Sequence, residues 1–360
     1  MSEAQGDIGA AGLRLTRFDR FPDELLHVPA WRLWQHLEGP SLFRISGRRP
    51  EPLFVSVLLH GNEHTGWEAV QSVLERHART QLPRSLLLFV ANIVAAKANV
   101  RTLRTQIDYN RTWPGTTHLK APETSLMKEV FEIVSREAPY ASIDIHNNTG
   151  NNPHYACVTS LNDRYLHLAR LFSRTIVYFK KPVGVQSAAL AAICPAVTIE
   201  CGRIGSAAGV DHAVEFVESA LAISHLPDHP VPVSDVDLLR TFAIIKVPSE
   251  ASVSFDGSDA DFRFRADLDR FNFSEIEEGT SFGFLGGNCQ HRLLVMPGDD
   301  VAIMEPYFDY SGGWISVTRP TIPAMLTVDP SAIRLDSLGY LMHRIDREGR
   351  RVRRSGASAR

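Results

Sequence analysis

The 360-residue sequence has only four cysteines, Cys157, Cys194, Cys201 and Cys289. They are too few and too scattered for a disulfide framework or a CxxC zinc site, and they suit a reducing compartment. A secretory signal core is also missing. Met1–Arg20 is rich in Gly and Ala with Asp7, Arg14 and Arg17 interspersed, and no apolar run approaches membrane-spanning length. The expectation is therefore a cytoplasmic protein. A net charge of −3 supplies no strong field to recruit nucleic acid or an anionic membrane. No fixed-period repeat is present, which excludes solenoids and propellers.

What the chain does contain is a set of apolar, β-branched runs that stop at potential metal ligands. Phe54-Val-Ser-Val-Leu-Leu-His60 ends in Gly61-Asn62-Glu63-His64, Ala141-Ser-Ile-Asp-Ile-His146 ends at a histidine, and Ala196-Val-Thr-Ile-Glu200 ends before Cys201-Gly202. Each reads as a buried strand opening into a loop. Carboxyl ends of strands are where open α/β sheets bind ligands, so parallel-type strands would aim His60, Glu63, His146 and Glu200 at one edge. Thr65-Gly-Trp-Glu68 matches a capping box that would start a helix running to about Arg79. Leu86–Ala91 and Ile176–Phe179 read as further strands. Helices are expected over Glu123–Arg136, Asn162–Ser173 and about Val210–Ile223. Alternation of strand and helix argues an α/β fold.

Before this stretch, Trp31, Leu33 and Trp34 lie on a possible short helix, and Ser41–Ser46 reads as an edge element covering the sheet. Three prolines in six residues, Pro227, Pro230 and Pro232, mark a stiff connection and a domain boundary. Beyond it, short segments at Phe242–Val247, Arg263–Phe271, Phe282–Phe284, Arg292–Met296, Val301–Met304 and Trp314–Val317 suggest a small β domain. The division expected is a catalytic domain over residues 1–230, a β-rich domain over 231–330 and a basic tail over 331–360.

Two histidines and a glutamate suit zinc held by three protein ligands, with a fourth position for water. Zinc lowers the pKa of bound water from about 15.7 toward about 7, and a carboxylate is then needed to carry the remaining proton. Glu200 is the candidate for that base.

Four motifs in order, His60-Gly-Asn-Glu63, Asp108-Tyr-Asn-Arg-Thr-Trp-Pro-Gly115, Asp144-Ile-His-Asn-Asn-Thr149 and Thr198-Ile-Glu200-Cys-Gly202, resemble the succinylglutamate desuccinylase and aspartoacylase branch of the zinc carboxypeptidase superfamily. Ile276-Glu-Glu-Gly279 and Leu285-Gly-Gly-Asn288 are similar to that family's β domain. The resemblance implies a zinc-carboxypeptidase-like mixed β-sheet with flanking helices, followed by a smaller β-rich domain. It implies one Zn2+ per chain on His60, Glu63 and His146, with Glu200 as base and then acid. It further implies that Asn110 and Arg111 grip a substrate carboxylate, a task a planar guanidinium suits. Arg101, with Arg104 as rival, would stabilise the oxyanion, and Tyr307 would line the substrate pocket. The expected substrate is a small N-acyl amino acid or short peptide with a free carboxylate; a homo-oligomer is left open.

The family's further arginine before the catalytic glutamate has no counterpart, because Gly184–Cys194 contains no basic residue. Lys180 or Lys181 is the substitute at hand, or else the acyl group is small, apolar or peptidyl. Other readings stay open. His60-x-x-Glu63-His64 fits an inverted zincin helix, in which His64 would be a ligand. A carboxypeptidase acting on peptide C-termini shares all the chemistry, and a non-catalytic metal-binding scaffold shares the ligands. Asp144 is either a support for a ligand or a buried hydrogen-bond partner. His118 and His154 are set aside, and Cys201 reads as a small core filler.

Overall fold

The computed structural model describes residues 13–298 and 306–352. In chain order the elements are β1 (Thr16–Phe18), β2 (Ser41–Ile45), β3 (Gly47–Val57), α1 (Thr65–Arg76), β4 (Leu82–Val90), α2 (Ile93–Ala98), α3 (Pro122–Arg136) and β5 (Ala141–Asn148). There follow β6 (Tyr155–Val158), α4 (Asp163–Phe172), β7 (Thr175–Tyr178), α5 (Gln186–Leu190), β8 (Ala196–Arg203), α6 (Ala207–Ala222) and β9 (Asp237–Lys246). The remainder comprises β10 (Val253–Ser254), β11 (Phe262–Phe264), β12 (Ser281–Leu285), β13 (Leu294–Pro297), β14 (Phe308–Asp309), β15 (Trp314–Val317), β16 (Ile322–Ala324), α7 (Pro330–Leu335) and β17 (Gly339–Arg344).

The fold is mixed α/β, with a large sheet flanked by helices and a separate β-rich sheet toward the C-terminus. Two compact units divide the chain. The first runs to Asp144 and adds Val183–Cys194; the second takes Ile145–Pro182 and everything from Pro195.

In the first unit the strands lie in the order β1-β2-β4-β3-β5. Strand β3 explains itself: its first half, Gly47–Glu51, reaches solvent, whereas Pro52–Val57 is buried. A near-continuous apolar run of that kind belongs between parallel neighbours, and β3 pairs parallel with both β4 and β5, Ser56 opposite Asp144. Residues 41–45, expected as a covering edge element, instead form β2, antiparallel to β4 and inside the sheet. Trp31, Leu33 and Trp34 do lie on a short 3-10 helix, Ala30–Gln35.

In the second unit the order is β8-β6-β7-β9-β17-β16, with β13 also on β9. Here β9, which includes Phe242–Lys246 and was expected in the small β domain, pairs with β7 in the large sheet. β17, inside the segment expected as a tail, pairs antiparallel with β9. Its own sequence, GYLMHR, is short and shows no clear alternation, so only the long-range pairing reveals it. A small sheet of order β10-β11-β12-β15-β14 closes around Phe262, Phe264, Phe282, Phe308 and Ile315. The expected strand Val301–Met304 lies outside the described residues. Among those residues no helix is long and apolar enough to cross a membrane.

Candidate metal centre

After β3 the chain turns at Leu58, which adopts a left-handed φ of 57° although it is not glycine, and then presents His60 and Glu63. Gly61 is the residue that lets this loop close. A Cβ there would stand 2.2 Å from the Ala95 carbonyl carbon of α2, and its amide donates to the Arg101 carbonyl at 3.0 Å. The loop so fixed places His60 Nδ1 2.8 Å from Glu63 Oε1, with both side chains buried.

His146 lies two residues beyond Asp144 on β5, and its ring is buried. One ligand atom from each of His60, Glu63 and His146 falls within 4.8 Å of the others, and no second such group of acids, histidines and cysteines occurs among the described residues. Ligand atoms about 2.1 Å from a tetrahedral zinc would stand roughly 3.4 Å apart, between the 2.8 Å of the His60–Glu63 contact and the 4.8 Å that bounds the group. Two imidazoles and one carboxylate, all sheltered from water, are a donor set that fits zinc.

Asp108 completes this corner and was not recognised from the sequence. Its Oδ1 lies 3.2 Å from His60 Nε2, and its Oδ2 accepts from Arg101 Nε at 3.2 Å and Nη2 at 2.9 Å. With Nε2 engaged by the carboxylate, Nδ1 is the His60 nitrogen turned toward Glu63. Burial alone would raise the Asp108 carboxyl, yet His60, Arg101 and then Arg111 hold it well below the usual carboxylate range. The available signal was its position at the head of the Asp108-Tyr-Asn-Arg motif. Arg101 Nη1 also reaches within 3.7 Å of Glu63 Oε1, whereas Arg104 is exposed. Of the two candidate arginines, Arg101 is the one beside the candidate ligand Glu63.

Asn110 is buried, and both ends of its amide meet protein groups. Oδ1 accepts from the Gln186 amide at 2.9 Å, and Nδ2 donates to Asp144 Oδ2 at 3.3 Å. Asp144 in turn accepts from Ser56 Oγ at 2.7 Å. Asp144 therefore ties β5 to β3 and to the loop of Asn110. Arg111 is partly buried, and its Nη1 donates to the Asn110 carbonyl at 2.9 Å.

Glu200 sits on β8, buried, opposite Tyr155 of β6. Its Oε2 receives Asn148 Nδ2 at 3.5 Å. Burial pushes the Cys157 thiol well up, and the adjacent Glu200 carboxylate adds to the shift, so this cysteine is no nucleophile. Cys201 is fully buried, as a core filler should be. Tyr307 packs its ring 5.1 Å from Phe242 and under the Arg319 guanidinium at 4.6 Å.

His64 is not in the ligand group. It is the residue before α1, and its Nδ1 pairs with Glu68 Oε1 at 2.8 Å. That contact replaces the expected capping box: His64 is the cap residue, Thr65 is already the first residue of the helix, and its hydroxyl has no partner. The inverted-zincin reading requires one helix through residues 60–64; the chain there is a loop, and the reading fails. His154 pairs with His212 instead, Nδ1 to Nδ1 at 2.7 Å.

Comparison with known proteins fits this geometry. Residues 52–224 match the family model described as succinylglutamate desuccinylase/aspartoacylase catalytic domain. No curated protein sequence matches the chain. Among solved structures, a succinylglutamate desuccinylase from Chromobacterium violaceum superposes with a TM-score of 0.54 at 17% identity, covering 83% of this chain and 86% of that one. A succinylglutamate desuccinylase/aspartoacylase from Rhodobacter sphaeroides gives 0.55 at 13%, covering 84% and 88%. Murine aminoacylase 3 gives 0.55 at 15%, covering 83% and 97%. At these identities the structures speak for a shared fold, and the family match within the chain speaks for its kind. Residues 52–224, a little under half of the chain, are thus similar to a succinylglutamate desuccinylase/aspartoacylase catalytic domain.

Proposed function

We propose that the chain is a zinc-dependent hydrolase that cleaves the amide bond of a small N-acyl amino acid with a free carboxylate. The observation that carries the reading is the buried cluster of His60, Glu63 and His146 inside a region similar to this family's catalytic domain. One zinc ion per chain would be held there, and its chemistry is to bring the pKa of a bound water from about 15.7 to about 7.

The protein groups then divide the work. Glu200 accepts the water proton and returns it to the leaving amine. Arg101, held by Asp108, donates to the carbonyl oxygen as negative charge builds on it. Arg111 grips the substrate carboxylate, and Asn110, engaged by Gln186 and Asp144, sets the loop that presents it. Tyr307 is assigned to the substrate pocket. The proposed catalytic groups other than Tyr307 lie within residues 1–230, while β9 and β17 from beyond that range join the large sheet. Four scattered cysteines suit work in the cytoplasm.

The lack of any basic residue in Gly184–Cys194 favours a small or neutral acyl group over an acidic one, and equally favours a peptidyl group. A carboxypeptidase is thus the second reading. Turnover of N-acetyl, N-succinyl and peptidyl amino acids by the zinc-loaded protein separates the two. Glu200→Gln should abolish turnover while zinc stays bound. Equal turnover by both proteins would refute Glu200 as the base, and no turnover of any of these substrates by the zinc-loaded wild type would refute the hydrolase reading.

A further inference from the structure

The loop after β5 carries a chain of asparagine contacts whose direction can be read. It begins at the Met325 backbone N–H, which can only donate and does so to Asn152 Oδ1 at 2.9 Å. With its oxygen turned that way, Asn152 offers Nδ2 to Asn148 Oδ1 at 3.0 Å. Asn148 then has its oxygen engaged, so its Nδ2 is the end that faces Glu200 Oε2 at 3.5 Å. An amide has one donor end and one acceptor end, so a single unambiguous backbone donor sets the polarity of every link.

The starting point is itself fixed by independent contacts. Leu326 exchanges two hydrogen bonds with the Asn272 side chain, at 2.8 and 2.9 Å. Thr149 Oγ1 donates to Thr327 Oγ1 at 2.9 Å, and the Asn151 amide donates to Asp269 Oδ2 at 3.1 Å. Gly150 lies so close that a Cβ would stand 2.0 Å from the Leu326 carbonyl oxygen.

We infer that Asn148 and Asn152 are positioning residues for the proposed reaction: together they keep an N–H donor, rather than a carbonyl oxygen, turned toward the Glu200 carboxylate. The inference rests on Glu200 being the base. A donor at that place favours the charged carboxylate, which is the form that can accept a proton from water. Were the Asn148 amide reversed, its oxygen would face the carboxylate and repel it.

Asn152→Asp tests this directly. Aspartate keeps the shape and still accepts from Met325, but it has no proton for Asn148. With the best substrate of the N-acetyl, N-succinyl and peptidyl panel, kcat should fall on the order of tenfold while KM stays within about twofold. Bound zinc, measured by metal analysis, should be unchanged. Asn148→Ala should give the same split, and serves if Asn152→Asp does not fold. Unchanged kcat in a folded variant, or a rise in KM alone, would overturn the relay. If wild type and Glu200→Gln turn over equally, the base assignment falls first; if Glu200→Gln is dead and Asn152→Asp is not, only the relay falls.

Discussion

Asp108 holds the Arg101 guanidinium on a single carboxylate oxygen, with Nη2 at 2.9 Å and Nε at 3.2 Å. The other oxygen of the same carboxylate faces His60 Nε2, so one side chain orients both a proposed ligand and the proposed oxyanion donor. Asp108→Ala should therefore weaken zinc binding by about 10- to 100-fold and lower kcat/KM as well. Adding Arg101→Ala to it should cost less than Arg101→Ala costs alone, since the two act as a unit. Full additivity in this double-mutant cycle would show that Asp108 does not act through Arg101.

His64 stands beside the proposed ligand Glu63 in sequence, yet its ring is committed to Glu68. Replacing it with alanine should leave zinc stoichiometry intact and turnover within about threefold, the loss of a partly exposed pair being small. Loss of zinc in this variant would restore the inverted reading of the motif.

The His154 imidazole meets His212 at 2.7 Å, and Phe172 stacks against both rings. Burial, and then His212, lower the His154 pKa below its ordinary 6.5. A depressed imidazole pKa means that the folded state prefers the neutral ring. The stability from this preference is complete above pH 6.5 and is lost as pH falls from there through the lower folded value. The unfolding temperature of metal-free protein should therefore drop on acidification below about pH 6.5, and His154→Gln should flatten that drop. Parallel pH profiles for the two proteins would refute the assignment.

Much of the site was legible because its residues follow apolar runs, although β5 and β8 continue past His146 and Glu200 to Asn148 and Arg203. A β-branched run halted by Gly61, or by Asn147 after His146, is a local pattern, and local patterns survive in a sequence read without its fold. The same holds for α3 and α4, which begin and end within a residue of expectation. What was hidden depended on pairing over distance. β17 is a strand because β9 is there to receive it. Asp108 matters because the fold brings it to His60 across 48 positions. The capping box at Thr65 failed because the helix starts one residue early, with His64 as its cap and paired with Glu68. The asparagine relay joins residue 148 to residue 325, and no spacing rule announces it.

The account stands on His60, Glu63 and His146 forming one metal centre. Titration of the metal-free protein with zinc, with bound metal counted per chain, tests it most directly. Wild type should take up one zinc ion, and His60→Ala, Glu63→Gln and His146→Ala should each lose most of that affinity while remaining folded. Undiminished binding in folded His146→Ala would contradict the account, because the cation would then be held without β5.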